Sequence, residues 1–171
     1  MNIERVFDNG GHKKVPFTVK DHLKVAGMIE TCGFTDNLRP SETTSDVVQL
    51  LEKENCVAFA HTNVPQGLLG IQSSNTLFGT VLNPHNKAFI SGGSSGGEGA
   101  LVASKACAFG VASDSGGSAR MPAAFCGVYA YKPTGSKRLS VKGRVGPGGT
   151  EVTPKILRDL NLEMWMLLLA L

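Results

Sequence analysis

A chain of 171 residues, 42% hydrophobic and 18% charged, is the size of one domain and has a globular balance rather than a disordered or fibrous one. The net charge of +3 comes with no long basic run and no basic stripe interleaved with aromatics, which excludes nucleic acid as a partner. The 21 glycines cluster instead of repeating, which excludes collagen-like and low-complexity chains.

Residues 1–14 are polar and read as an N-terminal arm, with His12-Lys13-Lys14 a solvated group; one domain is expected over 15–171. Val15 to Val19 alternates and is β-branched, so a short strand is predicted that delivers Lys20 and Asp21 at its end. Residues 27–40 read as loop. A helix capped by Thr44 or Ser45 is predicted through Asn55, with Val47, Val48, Leu50 and Leu51 as its apolar face. Cys56 to Ala60 reads as a buried parallel strand with His61, Thr62 and Asn63 at its end, so this stretch forms an α/β unit with the helix as crossover. Residues 64–90 lack periodicity and read as a long irregular loop, a length that points to function. Glu98 to Phe109 is predicted helical, Phe109 to Asp114 a strand, and Val128 to Tyr131 another. Residues 137–149 read as a loop, and Thr153-Pro154 as the start of a final amphipathic helix that carries Trp165.

Cys32, Cys56, Cys107 and Cys126 form no CxxC pair and no metal-ligand spacing, which predicts reduced cysteines in a cytoplasmic protein. The first ten residues contain no apolar core of a signal peptide. The apolar run from Leu160 holds Asn161 and Glu163 and is short of the roughly 20 residues a bilayer span needs.

The chemistry concentrates between Ser91 and Pro122. Gly92-Gly93-Ser94-Ser95-Gly96-Gly97 precedes the predicted helix, and Asp114-Ser115-Gly116-Gly117-Ser118 follows the predicted strand. Serine set among glycines can present its hydroxyl with several backbone N–H groups aimed at one point, the arrangement of a nucleophile with an oxyanion hole. Serine needs a base. His12, His22, His61 and His85 all lie outside the glycine-rich turns, and nothing marks a His-based triad. Gly-x-Ser-x-Gly is matched by the first cluster through composition alone. Lys20, after an apolar strand that can bury its stem, is the other candidate base; the same residue also reads as a surface lysine at a strand end. A phosphate cradle is disfavoured, since GxxxxGK[ST] and GxGxxG are both absent.

Lys20 after its strand, the GGSSGGEGAL wording that includes Glu98, and Asp114-Ser115-Gly116-Gly117-Ser118-Ala119-Arg120-Met121-Pro122 together resemble the amidase signature family, most closely its fatty-acid amide hydrolase branch. The resemblance covers about residues 14–160. It implies a partial amidase-signature α/β fold, a mixed β-sheet core flanked by helices. It implies Ser118 as the acylated nucleophile, with Ser94, held by a cis peptide, bridging it to a neutral Lys20 as general base. The N–H groups of Ser115, Gly116, Gly117 and Ser118 would form the oxyanion hole. Ser95 and Ser113 take supporting hydrogen-bond roles, and Asp114 and Arg120 structural ones. No cofactor and no metal is implied.

The resemblance further implies hydrolysis of amide C–N bonds of a small molecule, with fatty-acid (lipid) amides favoured and esters included, and a peripheral membrane contact for apolar substrates. Two alternatives stay open. One is a catalytically inactive amidase fragment or interaction remnant. The other is a glutamine amidotransferase of the A-subunit kind, against which Glu98 counts. The chain departs from the family in length and in Thr76, where proline is usual. It lacks the helices before the lysine strand and the C-terminal half. A fragment, or a short homologue completed by a partner or by a second copy in a homo-oligomer, is therefore expected.

Overall fold

The computed structural model describes residues 14–36, 38–132 and 165–169. Strand β1 (Val15–Lys20) is followed by helix α1 (Asp46–Lys53) and strand β2 (Cys56–Thr62). A small hairpin, β3 (Ser74–Asn75) and β4 (Gly79–Thr80), interrupts the long connection to helix α2 (Gly96–Ala103). Strand β5 (Phe109–Ser113), helix α3 (Arg120–Cys126), strand β6 (Tyr129–Tyr131) and strand β7 (Trp165–Leu169) complete the order. The main sheet runs β2-β1-β5-β7-β6. β1 pairs in parallel with β2 and β5, and β7 lies antiparallel between β5 and β6. This is a mixed sheet with a parallel portion, flanked by helices, as expected.

Alternation along the strands sorts their residues to two faces. Phe17 and Val19 of β1, Ala58 of β2 and Val111 of β5 meet Val47 and Val48 of α1 in one core. Phe59 and Ala112 point the other way and join Val102 of α2 with Ala119 and Ala123 in a second. Phe17 is fully buried and stacks on Phe109 with ring centroids 5.2 Å apart. By the same alternation Thr18 and Lys20 face α2, and the register pairs Lys20 with Thr62. The polar site is thus built on the α2 side of the parallel strands.

Several elements differ from expectation. Helix α1 stops at Lys53, and Leu50 is 46% exposed rather than part of the buried face. Ser45 occupies its N-cap position without a side-chain capping bond; the Thr44 hydroxyl instead accepts the Ala26 N–H at 3.0 Å. Helix α2 starts at Gly96 and ends at Ala103, short of Phe109. It ends because Ser104 turns its hydroxyl back to the Leu101 carbonyl at 2.8 Å and Lys105 adopts φ 58°, in the left-handed region. Helix α3 was not foreseen. Its Pro122 lies within the first turn, where proline removes no intrahelical bond, and Gly127 closes it with φ 67°.

Residues 165–169 form strand β7, not the continuation of a helix from Thr153. A five-residue apolar run satisfies strand and buried helix alike, and here two neighbouring strands supply its partners. The expected cap at Thr153-Pro154 and the loop over 137–149 lie outside the described residues, as does nearly all of the expected N-terminal arm. Among the described residues no helix is long and apolar enough to cross a membrane.

Candidate active site

Lys20 closes β1 and is completely buried. Burial pulls its amine down from the ordinary 10.5 to about 7, against the opposing charges of Asp114 and Glu98. The amine donates to Ser94 Oγ at 2.7 Å, to Ser113 Oγ at 3.2 Å and to the Ser113 carbonyl at 3.3 Å. An uncharged amine keeps two N–H donors and one lone pair, so it can also take the Ser94 hydroxyl proton.

Ser94 follows a cis Gly93–Ser94 peptide bond at the entry to α2 and is 1% exposed. The entry is fastened from three sides. The Ser95 N–H donates to the Ser118 carbonyl at 2.9 Å, the Gly96 N–H to Ser73 Oγ at 2.8 Å and the Gly97 N–H to the Asn63 carbonyl at 3.1 Å. Ser95 Oγ reaches the Ser113 carbonyl at 3.5 Å. These bonds satisfy helix-terminal donors that have no partner within the helix.

The second serine cluster leaves β5 and wraps around the Asp114 carboxylate. Asp114 is completely buried and accepts the backbone N–H groups of Gly117, Ala119 and Arg120 at 2.7, 3.0 and 3.0 Å. Arg120 donates to it from Nε at 3.1 Å and from Nη2 at 2.8 Å. Burial works to raise this carboxyl, but the guanidinium and the backbone donors prevail and hold it well below the usual carboxylate range. Gly117 sits at φ 120°, a conformation that suits glycine and lets the turn close on the carboxylate.

The structure therefore brings Lys20, Ser94, Ser95, Ser113, Asp114, Ser118 and Arg120 into one region. Two details stand apart from the expected arrangement. Among the described residues no hydrogen bond joins the Ser94 and Ser118 hydroxyls; their link runs through the Ser95 N–H. The Gly117 N–H is directed to Asp114, whereas the N–H groups of Ser115, Gly116 and Ser118 meet no acceptor among the described residues. Two of the histidines serve the scaffold: His61 reaches the Ile29 and Leu23 carbonyls at 2.9 and 2.8 Å, and His85 the Cys126 carbonyl at 2.9 Å, whereas the ring nitrogens of the buried His22 meet no partner among the described residues. His12 lies outside the described residues. A cavity of about 220 Å³ opens beside Asp21, Thr31, His61, Thr62 and Phe78 at the ends of β1 and β2.

In the sequence Glu98 stands at the start of the expected helix and in the GGSSGGEGAL wording and counts against the amidotransferase alternative, with no role assigned to its carboxyl. It is completely buried in the first turn of α2, and its carboxyl accepts the Thr18 hydroxyl and the Thr62 hydroxyl, each at 2.7 Å. A glutamate at a serine-rich helix entry was the available signal. Its partners, on two other strands, were not visible.

The sequence profile of the family described as Amidase matches residues 9–153. Fatty-acid amide hydrolase 1 of Sus scrofa is 44% identical over 133 residues, which are 77% of this chain and 23% of that protein. The A subunit of the glutamyl-tRNA(Gln) amidotransferase of Archaeoglobus fulgidus is 39% identical over 122 residues, 70% of this chain and 26% of that protein. A solved fatty acid amide hydrolase structure superposes with a TM-score of 0.71 at 36% identity, covering 77% of this chain and 23% of that one. The chain thus spans about a quarter of the length of these relatives.

Proposed function

The chain belongs to the amidase family, and from that premise we propose that it carries the catalytic residues of an amide hydrolase that works through an acyl-enzyme. Lys20 is the base, Ser94 the relay and Ser118 the nucleophile. One observation carries the reading: a lysine amine with no exposure, pulled down to about 7 and 2.7 Å from a serine hydroxyl. An amine in that state is part-neutral at neutral pH and can accept a proton, as an ordinary surface lysine cannot.

In the proposed sequence the Ser94 proton passes to Lys20 while Ser94 takes the proton of Ser118. Ser118 Oγ then forms its bond to the amide carbonyl carbon. The developing oxyanion accepts the free N–H groups of the turn, those of Ser115, Gly116 and Ser118. The C–N bond breaks as the same relay returns a proton to the leaving amine. Water repeats the sequence on the acyl-enzyme and releases the acid. Esters fit the same steps with an alcohol as leaving group. No cofactor and no metal takes part. Fatty-acid amides are the favoured substrates, supported by the GGSSGGEGAL wording and by the 44% identity to a fatty-acid amide hydrolase. Apolar substrates of this kind favour peripheral contact with a membrane.

The amidotransferase relative supports a second reading, in which the same residues release ammonia from an amide for a partner protein. Labelling of the folded chain with a fluorophosphonate, located by mass spectrometry, tests the common core of both readings. The expected result is a Ser118 adduct that is absent in Ser118→Ala. A folded chain that stays unlabelled at Ser118 overturns the proposal in favour of an inactive amidase fragment or interaction remnant. Ammonia release from glutamine in preference to a fatty-acid amide favours the second reading.

A further inference from the structure

Beneath the Lys20–Ser94 contact lies a closed polar network that the proposed steps do not use. Glu98 projects from α2, the helix whose entry holds Ser94. Its Oε2 accepts from Thr18, two residues before Lys20 and on the same strand face. Its Oε1 accepts from Thr62, the residue paired with Lys20 across the sheet. A Cβ at Gly110 would fall on the carboxyl, so the bare strand β5 at that point leaves the space Glu98 fills. One side chain thereby fixes α2 against β1, β2 and β5.

The network accommodates a proton without orphaning a polar atom. With Glu98 ionised, both threonine hydroxyls donate to it. With Glu98 protonated, its O–H donates to Thr62, whose own proton turns to the Val19 carbonyl at 3.4 Å. Thr18 Oγ1 also lies 3.5 Å from Cys107 Sγ, a buried thiol pushed up to about 11 and therefore neutral. Burial likewise pushes the Glu98 carboxyl up to about 7, which places it in the same range as the Lys20 amine. The other titratable groups facing Lys20 are Asp114, Cys32 and His22. Asp114 stays ionised and His22 neutral through this range, whereas the charge of Glu98 changes in the same range as that of Lys20.

We infer that Glu98 is a positioning residue for the Lys20–Ser94 pair, which locks the Ser94 helix to the Lys20 strand and sets through its own charge how tightly Lys20 holds its proton. The structural half stands on geometry alone; the consequence for catalysis rests on the hydrolase reading above. Coupling between two groups is reciprocal, so each must shift the other by the same amount.

The test is an NMR titration of the full chain with the Lys20 side chain and the Glu98 carboxyl observed by isotope labelling. Glu98→Gln keeps both contacts, with its amide oxygen accepting from Thr18 and its amide N–H donating to Thr62, and removes the charge. The Lys20 midpoint is expected to fall by about half a pH unit or more in this variant. Lys20→Met is expected to raise the Glu98 midpoint by a matching amount, an arm that remains decisive should Glu98→Gln fail to fold. Unmoved midpoints overturn the inference. Ser118 labelling measured alongside reports on the hydrolase reading separately: shifted midpoints in a chain that does not label uphold the coupling and count against hydrolysis alone.

Discussion

Replacing Lys20 by Met should reverse the sign of its effect on stability as pH rises. The unfolded chain keeps this lysine protonated up to about 10.5, whereas the folded chain releases the proton near 7. Between those values the unfolded state binds more protons, so the stability of the native chain rises with pH relative to the variant. Below that window the folded chain carries the full cost of burying the charge, and above it the cost is gone. The gap between 10.5 and about 7, at about 1.4 kcal/mol per pH unit, is on the order of 5 kcal/mol at neutral pH. Against this stand the hydrogen bonds to Ser94 Oγ and to the Ser113 hydroxyl and carbonyl, at about 1 kcal/mol each.

The Met variant is therefore expected to be more stable than the native chain by about 2 kcal/mol near neutral pH and less stable by about 2–3 kcal/mol near pH 10. Urea denaturation of both chains at steps from about pH 8 to about pH 10, above the Glu98 titration, reads the slope directly. A stability difference that stays flat across that interval would refute a buried, neutral Lys20 and the base role with it.

Two further substitutions probe the frame around the site. Asp114→Asn should loosen the nucleophile turn, because an amide cannot accept three N–H groups and a guanidinium together. The Ser118 labelling rate is expected to fall by about 10²-fold, the scale of losing an oxyanion donor, measured as the pseudo-first-order rate of probe incorporation. Gly110→Ala should destabilise the fold by about 1–3 kcal/mol through its clash with Glu98, read from the urea midpoint; a neutral effect would show that Glu98 can leave its place.

The readable part of the site was its local part. Ser94 and Ser118 stand in glycine-rich clusters that need no tertiary information to be noticed, and Lys20 ends a strand whose alternation is plain. The Asp114 carboxylate belongs to the same category, since all its partners lie within six residues. What was not legible required distance. Glu98 joins Thr18, 80 positions away, to Thr62, 36 positions away, and no local pattern announces that meeting. Among the elements, the Ala- and Leu-rich run after Glu98 promised a longer helix than the turn at Lys105 allows. Pro122 hid helix α3, although proline is harmless in a first turn. The apolar run at Trp165–Leu169 became a strand because β5 and β6 offered it hydrogen bonds, a tertiary fact that composition cannot contain.

The spacing along the chain of the Lys20 contacts has a consequence in time. Lys20 meets Ser94 across 74 positions and Ser113 across 93. Such distant points come together only after the loops between them have closed, an entropic cost that slows folding. The lysine, the first of these residues to emerge during synthesis, must wait for both serine clusters. Serine reactivity should therefore arrive late, after the local helices, and the chemistry of the site becomes a clock for completion of the parallel sheet.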